Sequence, residues 1–358
     1  MLHTTVIAEA GVNHNGSLDI AIALVDAAVQ AGADVIKFQT FKASSLVTSD
    51  ARQADYQIVN TARAEPQIDM LRRLELDHNS HRVLIKYCES KGISFLSTPF
   101  DSESLDFLVN DLNLSLLKVP SGEVTNGPLL LDFARTKRKM IVSTGMSSLA
   151  DIENCLSVLA FGLVNQKGVE PGVNQFREAY FSAEGQRMLQ EYVSLLHCTT
   201  EYPAPFEDIN LAAMDSMRSA FGLPVGYSDH STGIEVSVAA VARGARIIEK
   251  HFTLDRTMEG PDHKASLEPQ ELSLLVSSVR NIERAIGDGL KGPRPSEVKN
   301  IVIARKSLVA RNAIKKGEVI TADMLTIKRP GSGQSPMNYW NFVGSVALRD
   351  YRPDEVIV

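Results

Sequence analysis

The chain is poor in cysteine, in tryptophan and in long apolar runs. Its three cysteines, Cys88, Cys155 and Cys198, lie far apart and form no C-x-x-C. That spacing argues against a disulfide framework or a cysteine zinc site, and for reduced thiols in a cytosolic protein. No stretch reaches the roughly 20 apolar residues that a membrane helix needs, so no membrane span is expected. The opening M-L-H-T-T-V-I-A-E-A has no basic segment followed by an apolar run, and no signal peptide is expected. Basic charge is not in surplus either. Lys and Arg number 37 against 43 Asp and Glu, a formal net charge of −6. Sequence-blind binding to nucleic acid needs a clustered basic surface and is not expected. An anionic substrate is still open to an acidic protein, because a few buried Lys or Arg can hold phosphate.

What is present is alternation. The 358 residues are too many for one ordinary core. Eight short apolar runs rich in β-branched residues read as strands: Thr5–Ala8, Val35–Gln39, Ile93–Ser97, Leu116–Val119, Met140–Ser143, Val193–His197, Pro224–Tyr227 and Arg246–Lys250. Between them apolar residues recur near a spacing of 3.6. Leu18, Ile22, Val25 and Val29 share one helical face, as do Leu272, Leu275, Val276 and Val279. Strand–helix alternation predicts parallel strands with right-handed crossovers, and eight units fit a (β/α)₈ TIM barrel over residues 1–286. One connection is long. Asn165–Asn174 reads as loop and Phe176–Glu191 as helix, an insertion before the sixth strand with no assigned role. Residues 287–300, rich in Gly, Pro and charge, read as a linker. Residues 301–358 read as a small, mostly β domain with strand-like runs at Ser307–Ala310, Val319–Ile320, Thr326–Lys328 and Val343–Ala347. Alone it would bury little core and is expected to dock on a barrel.

In TIM barrels chemistry sits where strands end and loops begin. Here every strand exits into polar or ionisable groups: Glu9 on the first, Lys37 and Gln39 on the second, Thr98 on the third. Lys118, Ser121 and Glu123 follow the fourth, and Ser143 and Thr144 the fifth. The sixth ends H-C-T-T-E-Y-P, with Tyr202. Asp229 and His230 end the seventh, and Glu249 and His251 the eighth, before E-G-P-D-H-K with Asp262. Burying charge without a partner costs several kcal/mol or shifts the pKa. A purely structural barrel would not need this pattern. A single strand histidine is usually a satisfied core residue. His230 and His251 leave neighbouring strands, however, and their imidazoles can converge on one ion, with His14, His197 and His263 as rivals. Lys37 and Lys118 interrupt apolar strands, V-I-K-F and L-L-K-V, where a solvated lysine is awkward. Pointing inward near Ser121, Ser143 and Thr144, they would make an anion pocket. Glu9, Glu123 and Asp262 are candidates for acid–base work, with salt-bridge partnership to the lysines as the plain alternative.

These runs resemble the bacterial sialic acid synthases, including relatives that make legionaminic or pseudaminic acid. The resemblance rests on I-A-E-A-G-V-N-H-N-G, V-I-K-F-Q-T-F-K, F-L-S-T-P-F-D, K-V-P-S-G-E, S-T-G-M, H-C-T-T-E-Y-P, G-Y-S-D-H and I-E-K-H-F-T-L-D, in order along almost the whole chain. The tail, with A-R-K-S-L-V-A and K-R-P-G-S-G, resembles their antifreeze-like (SAF) domain. The resemblance implies a TIM barrel joined to a β-clip SAF domain, in a domain-swapped homodimer whose small domain caps the partner's barrel. It implies condensation of phosphoenolpyruvate with N-acetylmannosamine and water, releasing phosphate. A 2,4-diacetamido-2,4,6-trideoxyhexose is the alternative acceptor, giving legionaminate or pseudaminate. The implied metal is manganese, with magnesium or cobalt as substitutes, held by His230 and His251. Lys37, Lys118, Ser121 and Ser143, with Thr98 nearby, match the phosphoenolpyruvate pocket, and Glu123 the carboxylate at the reacting centre. Glu9, Tyr202 and Asp262 match positions around sugar and metal, and Arg329 the small-domain arginine that reaches the partner's sugar. Thr200 stands where some members have Asn, and the insertion at Asn165–Gln190 is absent from shorter members. The rival readings are a barrel using another aldose, such as erythrose 4-phosphate, and a carbohydrate-binding protein without catalysis.

Overall fold

The computed structural model describes residues 3–165 and 168–358, so two positions of the expected loop, Gln166 and Lys167, lie outside it. Eight strands follow the alternation closely: β1 (Thr5–Gly11), β2 (Val35–Thr40), β3 (Ser94–Pro99), β4 (Leu116–Val119), β5 (Lys139–Ser143), β6 (Val193–His197), β7 (Val225–Asp229) and β8 (Ile247–His251). Their order is β3-β2-β1-β8-β7-β6-β5-β4, every ladder is parallel, and β3 and β4 lie in contact across the remaining gap. This is a TIM barrel.

Two apolar layers fix the strands. Outside, strand residues such as Val6, Ala8 and Phe38 pack against helical residues such as Leu24, Leu84 and Leu275 in one large cluster. Inside, Ile7, Val35, Leu96, Ile141, Leu196 and Ile247 meet as a separate plug. Side chains two apart on a strand point the same way. The residues that follow the plug on the inner face are therefore Glu9 after Ile7, Lys37 after Val35, Thr98 after Leu96, Ser143 after Ile141 and Glu249 after Ile247. The period that seals the bottom of the barrel with hydrocarbon lifts its ionisable groups to the top. Gly226 is needed on this inner face. A Cβ there would sit 2.4 Å from the Ile247 carbonyl oxygen and 2.7 Å from Leu196 Cδ2.

The insertion before β6 folds as two helices, Val173–Phe181 and Ala183–Tyr192, where one was expected. Ser182 makes the break. Its hydroxyl donates to the Ala179 carbonyl at 2.8 Å and accepts the Gly185 amide at 2.9 Å, capping the second helix. Beneath them Tyr180, Met188 and Leu189 join the outer core, so the insertion thickens the barrel wall.

Contacts divide the chain into Met1–Gly287 and Asp288–Val358. In the second unit the stretch read as linker holds a helix, Pro295–Ala304, that buries none of its residues. Pro295 at its first position loses no hydrogen bond, and Glu297 accepts the Arg294 amide at 2.9 Å. The signals that suggested a linker are here start signals of a helix. Beyond it, β9 (Ser307–Ala310) pairs antiparallel with β10 (Leu325–Lys328) over a core including Leu308, Ile314, Ile320, Leu325 and Ile357. The runs expected at 319–320 and 343–347 meet in one bridge, Val319 to Val346. Among the described residues, no helix is long and apolar enough to cross a membrane, and all three cysteines are free and buried.

His14 sits fully buried in the loop after β1. Burial, aided by repulsion from His81, pushes its pKa down to about 3. It is neutral in the folded chain and takes a proton when unfolded. Its contribution to stability is therefore present above about pH 6.5 and is lost as pH falls toward about 3. Between pH 7 and 5 this histidine alone should remove about 2 kcal/mol. Urea unfolding of the protein and of His14→Asn at both pH values checks this. The variant should lose less stability on acidification, and equal losses would refute the assignment.

Candidate active site

A cavity of about 360 Å³ opens at the strand ends. Glu9, Lys37, Lys118, Ser228 and Glu249 reach into it from five strands, and all five are buried. Glu249 is the hub. Its Oε1 accepts from Lys118 Nζ at 3.1 Å and from the Ser228 hydroxyl at 2.8 Å, and its Oε2 lies 3.4 Å from Lys37 Nζ. Lys37 Nζ also reaches Glu9 Oε2 at 3.0 Å and donates to Thr98 Oγ1 at 3.1 Å. The Gln39 amide donates to Glu9 Oε1 at 3.3 Å.

Two ammonium groups and two carboxylates thus share a buried floor, and their affinities for protons separate. Burial opposes ionisation of Glu249, but Lys118 and Lys37 outweigh it and hold the carboxyl well below the usual range. Glu9 is different. Burial is its largest influence, and although Lys37 pulls the other way, Glu249 adds repulsion and the pKa rises to about 7. Burial lowers the Lys118 pKa despite Glu249. For Lys37, burial is overcome by Glu249 and Glu9, and the pKa rises. The floor therefore keeps Glu249 charged and holds Glu9 poised to gain or lose a proton near neutrality.

His230 and His251 come together, with ring centroids 5.7 Å apart. Tyr202 packs against both, at 4.2 and 5.4 Å. His230 Nδ1 lies 2.6 Å from the Thr199 carbonyl, which can only accept, so Nδ1 carries the proton and Nε2 keeps its lone pair. His251 Nδ1 is buried without a hydrogen-bond partner among the described residues, 3.9 Å from Asp262 Oδ2. Burial lowers the His230 pKa to about 4; burial and then His230 hold His251 well below its ordinary value. Two neutral imidazoles, one with an orphaned nitrogen and the other with its tautomer fixed by a carbonyl, are a donor set that suits a divalent cation. Among the described residues no group of three or more His, Cys, Asp or Glu gathers as ligands. An ion held by this pair would keep several positions for water or substrate oxygens. Asp262, whose pKa burial raises to about 6, lines the same cavity.

Of the residues singled out in the sequence, Glu9, Lys37, Thr98, Lys118, Ser121, Ser143, Tyr202, His230, His251 and Asp262 all border this cavity. Ser143 Oγ is buried without a partner among the described residues, while Ser121 Oγ accepts the Gly145 amide at 3.0 Å. Thr200 lines the cavity too, its hydroxyl also unpartnered among the described residues. Glu123 does not belong to the lining. The 3₁₀ turn Ser121–Glu123 swings its carboxylate back to accept from Asn126 Nδ2 at 2.6 Å, at the start of the helix Gly127–Arg135. Arg329 is exposed on the second unit. Two rival histidines are satisfied elsewhere, His197 Nε2 lying 2.7 Å from the Ile209 carbonyl and His263 Nδ1 2.7 Å from Thr253 Oγ1, while His14 lies outside the lining, its Nδ1 accepting the Gly16 amide at 3.0 Å and its Nε2 buried without a partner among the described residues. Glu249 was visible in I-E-K-H but given no role. Only its position two residues beyond Ile247 on the inner face marks it.

The chain matches the NeuB family over residues 24–291 and the SAF domain over residues 305–358. It is 50% identical over 357 residues to the N,N'-diacetyllegionaminic acid synthase of Campylobacter jejuni, covering 100% of this chain and 99% of that one. It is 43% identical over 340 residues to the N,N'-diacetyllegionaminic acid synthase of Legionella pneumophila, covering 95% and 89%. Among solved structures, the N-acetylneuraminic acid (sialic acid) synthetase of Leptospira borgpetersenii aligns with a TM-score of 0.67 at 32% identity, covering 84% of this chain and 90% of that one. With the barrel, the small β unit and near full-length identity in agreement, the chain belongs to the NeuB family of condensing synthases and carries a C-terminal SAF domain.

Proposed function

We propose that this protein condenses phosphoenolpyruvate with a 2,4-diacetamido-2,4,6-trideoxyhexose and water, giving a legionaminic-type nine-carbon acid and phosphate. The observation that carries the choice of acceptor is the identity of 50% and 43% to two enzymes named for diacetyllegionaminic acid, over nearly their whole lengths. N-acetylmannosamine, the acceptor first expected from the sequence, becomes the second reading, favoured by the likeness to the Leptospira synthetase.

Phosphoenolpyruvate brings a carboxylate and a phosphate. Lys37 and Lys118 face that charge from a buried floor, where an ammonium is worth far more than in water. The floor is neutral while both carboxylates are ionised. Protonation of Glu9 leaves one positive charge over, which favours an anion. The methylene carbon of phosphoenolpyruvate attacks the aldehyde carbon, water adds to the phosphate-bearing carbon, and the C–O bond to phosphate then breaks. Glu9, poised near 7 and 3.0 Å from Lys37, can take the proton from that water and return it. His230 and His251 would hold a divalent ion, manganese with magnesium or cobalt as substitutes. When bound, it supplies Lewis-acid polarisation of the aldehyde and aligns the partners. Tyr202, packed on both imidazoles, fixes their orientation. The test is phosphate release from phosphoenolpyruvate with the diacetamido sugar and with N-acetylmannosamine, each with and without manganese. Faster release with N-acetylmannosamine would overturn the choice of acceptor, and release with neither the function itself.

The resemblance also supports a homodimer in which Arg329 serves the partner's barrel. Mixing inactive Lys118→Met with inactive Arg329→Ala should restore about a quarter of the activity, as expected for random exchange of two subunits with one intact site in each mixed dimer. Proven subunit exchange with no recovery would defeat the arrangement.

A further inference from the structure

We infer that the chain between β2 and the helix His78–Lys91 forms an apolar wall that selects the acceptor at its far end, recognising a 6-deoxy methyl group in preference to a hydroxymethyl. This rests on the proposed reaction for where the acceptor lies, but it concerns a different contact.

The cavity has two unlike sides. Its floor is made of strand side chains and is ionisable. A second side comes from the three short helices Ala43–Leu46, Asp55–Thr61 and Gln67–Leu74. From these and their flanks Leu46, Val47 and Leu71 line the cavity as half-buried side chains, with Tyr56, Gln57 and Gln67 beside them. Val12, Phe41, Met70 and Leu74, which border the same cavity, form an apolar cluster of their own, separate from both barrel cores, with Leu46 and Leu71 packed against it. Phe41 and Phe100 meet edge to face in this layer, at 6.1 Å. The wall is therefore backed by side chains that cannot turn away to expose polar groups.

It is also tied to the catalytic end. Asn60 Nδ2 donates to the Pro261 carbonyl at 2.7 Å, and Arg63 pairs with Glu259 at 2.8 Å. These contacts fasten the helix Asp55–Thr61 to the loop that carries Asp262. Tyr56 from that helix packs at a tilt on Tyr202, with ring centroids 5.1 Å apart, and Tyr202 in turn packs on His230.

The acceptor's orientation follows from its chemistry. Carbon 1 is the aldehyde and must lie by the ionisable floor and the histidine pair. The acyl group on carbon 2 is next to the reacting carbon, so carbon 6 lies at the opposite end and meets a wall off the strand ends. A hydroxymethyl packed on Leu46, Val47 and Leu71 would lose water contacts and find no partner in them, while the neighbouring Gln67 amide donates to Gln57 Oε1 at 3.4 Å and that oxygen also accepts the Ala54 amide at 3.0 Å. A methyl would gain burial. Hydrocarbon pockets discriminate modestly against an added hydroxyl, by about 10- to 100-fold.

The experiment isolates one oxygen atom. The acceptors are 2-acetamido-2-deoxymannose and its 6-deoxy analogue, compared by kcat/KM in the whole manganese-loaded enzyme. The wild type should prefer the 6-deoxy sugar by about tenfold or more. In Leu71→Gln that preference should disappear or reverse, with KM for phosphoenolpyruvate unchanged. Leu46→Gln, on a different helix, repeats the test should Leu71→Gln fail to fold. Equal ratios in wild type and variants, or a wild-type preference for the hydroxymethyl sugar, overturn the wall. Either outcome is independent of whether the diacetamido sugar outperforms N-acetylmannosamine, which decides the proposed function alone.

Discussion

Lys37→Met should lower kcat/KM for phosphoenolpyruvate by about 10³-fold while the barrel stays folded. Lys37 is the one ammonium that touches both floor carboxylates, at 3.0 Å to Glu9 and 3.4 Å to Glu249. Removing it leaves Lys118 against two carboxylates, a floor of net charge −1 that must admit a multiply charged anion. Leaving a buried charge unpaired commonly costs ~3–5 kcal/mol. Here the loss of stability should be smaller, because Glu9 can neutralise itself. Its pKa is already near 7, and without its main cationic neighbour it rises further and the carboxyl takes up a proton. At pH 8 the proton taken up by Glu9 should therefore replace the one lost with Lys37, visible as a new protonated-carboxyl C=O stretch in the infrared spectrum, and the variant should melt within a few degrees of the wild type. Most of the kinetic loss should appear as a raised KM for phosphoenolpyruvate. Lys37→Arg keeps the charge but not the compact ammonium, and should recover only part of the affinity. A KM for phosphoenolpyruvate within threefold of wild type in folded Lys37→Met would remove Lys37 from the anion site.

How much of this was legible in the sequence depends on whether the signal was periodic. The eight strands were, because each carries a β-branched run between helical spacings, and their observed bounds depart by only a residue or two except where β1 runs on to Gly11, toward the site. The inward lysines were legible for the same reason, since Lys37 in V-I-K-F breaks hydrocarbon on a two-residue beat. The direction of Glu123 was not legible because it lies past the strand end. There no period operates, and a single 3₁₀ turn decides whether a carboxylate faces the cavity or Asn126. Glu249 was given no role beside two more conspicuous neighbours, Lys250 and His251. The two alternate in direction: His251 shares the inner face with Glu249, while Lys250 turns outward to Asp229 at 3.1 Å and to the Ser231 carbonyl. The helix Pro295–Ala304 was missed because nothing on it is buried. A helix set by its start signals and not by an apolar face leaves no amphipathic stripe to read. The apolar wall was invisible for a deeper reason. Leu46, Val47 and Leu71 belong to short helices and their flanks, whose hydrocarbon looks like ordinary core, and only packing reveals that these three face the cavity.

The second large effect is expected at the histidine pair. His251→Ala should keep the wild-type fold, lose tight manganese binding and lose turnover by at least about 10³-fold. His251 is the cleaner of the two to remove. Its Nδ1 has no hydrogen-bond partner among the described residues, so truncation orphans no protein group there. His230→Ala, by contrast, strips the Thr199 carbonyl of its donor at 2.6 Å, and should cost a further ~1–3 kcal/mol of stability if no water replaces it. The two variants should thus share a catalytic defect and differ in melting temperature. Isothermal titration with manganese in the absence of substrate separates ion binding from activity. His251→Gln, which offers an amide in place of an aromatic nitrogen, should not restore it. The imidazole is suited to this place because burial keeps it neutral, with a lone pair available across the physiological range. A folded His251→Ala protein that turns over at the wild-type rate after chelation would mean that the two imidazoles hold no catalytic ion. The aldehyde would then have to be polarised by Lys118, the buried ammonium that is not bonded to Glu9.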